Sequence, residues 1–171
     1  EVRSEGALAW ADVSTGEFRV MACPRVRLGP ELARLAPKEV LVSEANDVDL
    51  AGIVSESGAS ITPLARASFD STGGVQRLSA LFQVGSLDAF GVFDRADQAA
   101  MGAVVAYLEL TQRGKLPMLR PPVKEAAGGS MQIDAATRRN LEIAQALSGG
   151  REGSLITAID RTVTAAGARL L

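Results

Sequence analysis

Asp12, Glu44 and Asp70 are the residues whose type and placing could do chemistry. Carboxylates gathered from separate elements can hold a pair of divalent ions, and such a pair activates water for phosphodiester cleavage. Asp12 ends the first strand-like run, so it would be the first ligand of a metal-dependent nuclease, with Glu44 and Asp70 as partners. The same aspartate precedes Ser14-Thr15-Gly16. In such a turn a carboxylate commonly accepts backbone N–H bonds, which accounts for Asp12 without a metal.

Other chemistry is bounded by what the chain lacks. It has no histidine, which removes Ser-His-Asp and Cys-His nucleophilic systems and histidine-ligated zinc. Cys23 is the single cysteine, so it forms no internal disulfide and reads as a small packing residue. No G-x-x-x-x-G-K-[ST] loop occurs, so these residues carry no P-loop nucleotide site. Asp134, Thr137, Arg139 and Asn140 look like a cluster, but a capping aspartate and helical side-chain pairs explain them. Gly149-Gly150-Arg151-Glu152-Gly153 has no strand before it and no lysine after it, so it reads as a turn between helices. The aromatic residues Trp10, Phe18, Phe69, Phe82, Phe90, Phe93 and Tyr107 are too dispersed for a base-stacking platform and belong in a core. No catalytic, cofactor-binding or metal-binding residue is assigned.

The elements that would position these residues follow from pattern. Ala7 to Asp12 and Glu17 to Met21 form a hairpin about Gly16, with Phe18 and Val20 on one face. Leu28, Leu32 and Leu35 mark a helix between Pro24 and Pro37, and Glu39 to Val42 is a short apolar strand. Asp47 is placed to cap a second helix carrying Leu50, Ile53 and Val54, ended by Gly58 and followed by a strand over Ala59 to Leu64. Short apolar strands joined by crossover helices imply parallel pairing. A helix follows Asp70 with Val75, Leu78, Leu81 and Phe82, then a short element at Ser86-Leu87 ended by Gly91. Asp94 caps the longest helix, Arg95 to Gln112, whose broad apolar band predicts burial on more than one side.

From Gly114 to Gly129, Pro117, Pro121, Pro122, Gly128 and Gly129 deny a continuous helix and mark a connection or short extended piece. Met131 to Asp134 reads as extended, Asp134 as the cap of a helix through Ala146, Gly149-Gly150 as a break, and Ser154 as the next cap. Gly167 interrupts the last helix. The domain expectation is residues 1–113 as an α/β body with its exit helix, 114–130 as a connection and 131–171 as the start of a helical domain.

Three of these passages carry a resemblance. Gly6-Ala-Leu-Ala-Trp10-Ala-Asp12-Val-Ser14-Thr15-Gly16-Glu17-Phe18 is similar to the opening hairpin of the connector domain in the MutS family of bacterial DNA mismatch-repair proteins. Asp134-Ala-Ala-Thr137-Arg-Arg139-Asn140-Leu141-Glu142 and Thr162-Val-Thr164-Ala-Ala-Gly167-Ala-Arg169-Leu170-Leu171 resemble the start of that family's core, or lever, domain. Between them Phe69-Asp70, Phe90-Gly91, Ala100 to Gln112 and Leu116-Pro117 fall in the family's order. One departure is Ala166, where the family usually has methionine.

The resemblance implies an RNase H-like connector with a hairpin and parallel strands, followed by the helical start of an incomplete all-α core. It implies a non-catalytic fragment that relays between mismatch recognition and the ATPase and contributes to MutL docking. Mismatched duplex DNA, ATP with magnesium and a MutS homodimer would belong to the parent protein, in a bacterial cytoplasm. The alternatives are an RNase H-like metal-dependent nuclease using Asp12, and an autonomous DNA-binding module. The same Asp12 to Gly16 run is faintly similar to the phosphate hairpin of sugar kinases and actin-like ATPases, folds that need a second phosphate loop and a larger chain.

Composition agrees with a packed protein: 47% of the 171 residues are apolar and 22% charged. No apolar run is long enough to span a membrane, and no signal-peptide plan opens the chain. The start at Glu1 and the uncapped apolar ending at Leu171 are expected of a piece cut from a longer protein. Residues 1–112 hold nine basic and fifteen acidic residues, whereas 113–171 hold nine basic and five acidic. The second part therefore suits a place nearer a phosphate backbone, although a solvated surface explains so modest an excess.

Overall fold

Alternation in the first hairpin becomes a two-faced ribbon. β1 (Ala7–Asp12) and β2 (Glu17–Ala22) pair antiparallel with Asp12 opposite Glu17, and Phe18, Val20 and Met21 are buried. The turn closes because Gly16 takes φ of 73° and donates its N–H to the Asp12 carbonyl at 2.8 Å. The structure is a computed structural model, and it describes residues 6–112, 116–126, 131 and 133–171. Gly114, Gly128 and Gly129 of the expected connection lie outside the described residues, as does the side chain of Ala166.

α1 (Arg25–Leu35) starts after Pro24, and the left-handed Ala36 stops it before Pro37. β3 (Glu39–Ser43), α2 (Asp47–Glu56) and β4 (Ser60–Leu64) make the expected crossover unit, with β3 and β4 parallel and Val42 opposite Pro63. A proline is tolerated in β4 because β4 is an outer strand and one of its edges needs no donor. The α2 cap is Asn46 rather than Asp47; Asp47 occupies the first turn, where its carboxylate takes the Val48 N–H at 2.7 Å.

α3 (Ser71–Phe82) is capped by Asp70 and ends at the left-handed Gln83. α4 (Arg95–Thr111) opens with a reciprocal capping box between Asp94 and Asp97. These two helices cross at Gly74 and Gly102, where a Cβ on Gly102 would lie 2.4 Å from the Gly74 Cα. Only glycine permits that approach. Buried Met101, Gly102, Ala103, Val105 and Leu108 wrap around α4, so it is covered on more than one side as its broad band predicts. Phe18, Val20, Leu78, Leu87, Phe93, Met101, Val105, Leu108 and Leu119 form one core between hairpin and helices.

The proline-rich passage does contain a short extended piece. β5 (Val123–Lys124) pairs parallel with β2, giving one sheet in the order β1-β2-β5, separate from the pair β3-β4. Beyond it lie α5 (Ala135–Asn140), α6 (Leu155–Ile159) and α7 (Ala165–Leu170). The helix expected to run from Asp134 to Ala146 stops six residues earlier than that, at Asn140, because Glu142 turns the chain with φ of 50°. Glu142 is then held by the loop it makes. Its carboxylate accepts the Leu147 N–H at 2.6 Å and its carbonyl the Leu155 N–H at 2.9 Å.

Candidate functional site

Backbone bonds and partly buried ion pairs together attach residues 116–126 to the α/β body. Backbone bonds fasten this segment first: Arg120 donates to the Gly16 carbonyl at 2.7 Å and Glu125 to the Val20 carbonyl at 2.8 Å. A side chain at position 16 would strike the Met118 carbonyl at 2.5 Å, so Gly16 serves both the hairpin turn and the close passage of this strap. Leu119 and Pro122 of this strap are buried against the body.

Two ion-pair systems then flank the strap. Lys124 Nζ lies 2.7 Å from Asp97 Oδ2 and 3.0 Å from Asp94 Oδ2, so it meets the capping box of α4. Asp97 is 1% exposed, and its carboxylate also accepts the Asp94 N–H at 2.9 Å. The hydrogen bond to Asp97 raises the Lys124 ammonium above the ordinary lysine value, against the opposing effect of partial burial. On the other side Glu125 accepts from Arg34 Nη2 at 3.1 Å, and Arg34 Nε donates to Glu31 at 2.7 Å. Glu31 is 3% exposed and also receives Arg27 at 2.9 Å. Burial pulls the Arg34 guanidinium down, but Glu31 and Glu125 outweigh it and hold it above its usual value. Its guanidinium carbon stands 5.6 Å from the centre of the Trp10 ring.

This arrangement has a mechanical consequence. Removing one partner of a buried pair leaves an uncompensated charge, so the strap, β2, α1 and the start of α4 resist separation. α5 also packs against α1, the helix that supplies Glu31 and Arg34.

Residues 3–120 match the model of MutS domain II, and residues 136–171 match that of MutS domain III. The chain belongs to the MutS family. It is 66% identical over all 171 residues to a DNA mismatch repair protein MutS of Cereibacter sphaeroides, covering 19% of that protein. It is 66% identical over the same length to that of Dinoroseobacter shibae, with 19% of the relative covered. It is 64% identical over 170 residues, 99% of this chain, to that of Paracoccus denitrificans, again 19% of the relative. The chain thus spans about a fifth of the length of the curated relatives it matches.

Within this MutS-family chain the three carboxylates first considered for metal chemistry do not come together. Asp12 lines one cavity with Lys38 and Glu39, whereas Asp70 lines another and Glu44 lines neither. Each has a local task. Asp12 accepts the Ser14 N–H at 2.8 Å and the Ser14 hydroxyl at 2.6 Å, bonds that hold its carboxyl below the usual range. Asp70 caps α3 through the Gly73 N–H at 2.6 Å, and Glu44 accepts the Arg66 N–H at 3.4 Å. Among the described residues no group of three or more acidic or cysteine side chains is placed to hold a metal ion.

Asp134 caps α5, accepting the Thr137 N–H at 2.8 Å and hydroxyl at 2.9 Å, which lowers its carboxyl. The glycine run is a turn closed by its own backbone, with Gly149, Gly150 and Gly153 all at positive φ. Cys23 is buried, and that burial pushes its thiol up. The coupling residues Glu31, Arg34, Asp97, Lys124 and Glu125 were not singled out by sequence reasoning. Asp94-x-x-Asp97 and the helical spacing of Arg27, Glu31 and Arg34 were available signals. Lys124 and Glu125 had none, because their partners are distant in sequence.

Proposed function

We propose that this chain is the connector and the beginning of the lever in a MutS-type protein, and that it relays position between mismatch recognition and an ATPase supplied by the rest of that protein. The domain division at residues 113 and 131 belongs to this proposal. So does the assignment of bond chemistry to other parts of the polypeptide, since these residues hold no P-loop that would fit ATP and magnesium. The single observation that carries it is the strap at 116–126, fastened by strand pairing and by the buried carboxylates Asp97 and Glu31. A segment held this way moves with the α/β body, and relay requires units that shift as rigid pieces.

Mismatched duplex DNA and a second MutS copy would be engaged by the whole protein in a bacterial cytoplasm, and MutL would dock in part on the α/β body. No helix among the described residues is long and apolar enough to cross a membrane.

The test uses the full-length protein carrying Lys124→Met and Glu125→Gln. Mismatch binding should persist while the ATP-triggered release along DNA slows by about tenfold, the scale of a moderate coupling energy. Unchanged kinetics with a folded variant would remove the relay. Titration of MutL against the 171-residue chain checks docking separately, and absence of binding there would confine MutL to other domains.

A further inference from the structure

α1 is a helix with a joint in its middle. Its sequence runs Arg25-Val-Arg27-Leu-Gly29-Pro30-Glu31-Leu32-Ala-Arg34-Leu35, so Gly29-Pro30, a pair that ordinarily marks a turn, falls inside its 11 residues. Pro30 has no N–H to give the Val26 carbonyl, and its ring crowds that oxygen, so one rung of the backbone ladder is missing. A side-chain bond spans the gap. Arg27 Nη2 meets Glu31 Oε1 at 2.9 Å, with one partner on each side of the joint, and such a clasp opens without breaking a backbone bond.

The two halves of α1 are fastened to different elements. Before the joint, Arg25 donates to the Asp49 carbonyl of α2 at 2.9 Å, and a Cβ on Gly29 would stand 3.8 Å from Ile53 of the same helix. After it, Leu32 is buried, and Arg34 divides its guanidinium between Glu31 and Glu125 of the strap. α2 therefore anchors the first half, while the second half bonds the strap. α5, the first helix beyond the strap, packs against α1 as well. α1 thus stands between the two.

We propose that α1 is a flexing arm, hinged at Gly29-Pro30, which passes a displacement of α5 to the strap through Arg34. The arm presupposes the relay proposed for this chain and names the part of the body that bends. When α5 shifts α1, the bend falls at the proline, because the ladder is already interrupted there and no further backbone bond is lost. The half beyond the joint then moves and takes Arg34 with it. Arg34 keeps Glu31, which lies on its own half, whereas its bond to Glu125 crosses to another element and changes as the arm bends. An unbroken helix would move as one rod, and its hold on α2 would oppose the shift. Arg34 is accordingly a positioning residue, and Pro30 sets how freely it travels.

The test uses the full-length protein with Pro30 replaced. Pro30→Ala restores the missing N–H and stiffens the arm, so ATP-triggered release along DNA should slow by about tenfold while mismatch binding is unchanged. Pro30→Gly restores the N–H but leaves the joint pliant, and release should stay close to the parental rate. Amides of Glu31 to Leu35 should exchange more slowly in Pro30→Ala than in Pro30→Gly. Parental release in Pro30→Ala, equal slowing in both variants, or equal amide exchange in the two would each overturn the hinge. The relay is judged separately by Lys124→Met with Glu125→Gln. Slow release there beside parental release in Pro30→Ala removes the hinge and leaves the relay standing, whereas parental release in both removes the two together.

Discussion

The α/β body and the residues beyond Met131 have similar local signals and different fates. Both carry capped helices: Asp70 and Asp94 in the first, Asp134, Ser154 and Thr164 in the second. Every buried apolar side chain among the described residues nevertheless lies between Phe18 and Pro122. Among the described side chains of residues 133–171 the buried one is Ser154, while Leu141, Leu147, Leu155, Ile159 and Val163 stay exposed. A cap decides where a helix begins, but helices of five or six residues are held by tertiary packing or hardly at all.

The sharpest way to break this contrast is to cut equivalent side chains from both regions. Leu78→Ala empties a fully buried site on α3 and should cost about 2 to 5 kcal/mol in urea denaturation. Leu155→Ala, at a half-exposed site, should cost less than about 1 kcal/mol. Comparable losses would mean that the second region owns a core.

The strap supplies the next largest effect. Lys124→Met removes the ammonium from buried Asp97, leaving the capping N–H as its remaining bond, and should destabilise the body by about 2 kcal/mol in the same measurement. Arg161→Met, whose guanidinium bonds only the neighbouring Asp160 carbonyl, should be neutral within about 0.5 kcal/mol.

Amide exchange sharpens the comparison without mutation. Core amides of α3, α4 and β2 should open only with global unfolding, whereas those of α5, α6 and α7 should exchange through local opening. Uniform protection across both regions would contradict the division.

The smallest effect concerns acid. Asp12 is held below its unfolded value by Ser14, so its contribution is fully present above the ordinary carboxylate range. It is lost as pH falls through the depressed folded value. Ser14→Ala removes the hydroxyl bond and should flatten the acid limb of stability slightly, by less than about 1 kcal/mol because the carboxylate is exposed to water. A steeper acid limb in the variant would show that another group governs it.

Local signals were enough for the hairpin, for the crossover from β3 to β4 and for α4. Each is written within a few residues: glycine at a left-handed turn, an apolar run of strand length, an aspartate before a long apolar band. The sequence also allowed the turn role of Asp12, because a carboxylate two residues ahead of Ser14 needs no distant partner. It misplaced the end of α5, where Glu142 turns the chain through bonds to Leu147 and Leu155 that lie outside the helical period.

Which charges meet between distant elements was decided by tertiary structure alone. Lys124 reaches Asp97 and Glu125 reaches Arg34 only after the strap has paired with β2, and no spacing along the chain encodes a contact across 91 residues. The same holds for Gly16, whose turn was readable but whose second duty beneath Met118 was not. Residue types and short-range geometry determine the elements and their caps. Burial determines which polar groups become consequential, because desolvation makes a pairing matter and only the packed chain excludes the water.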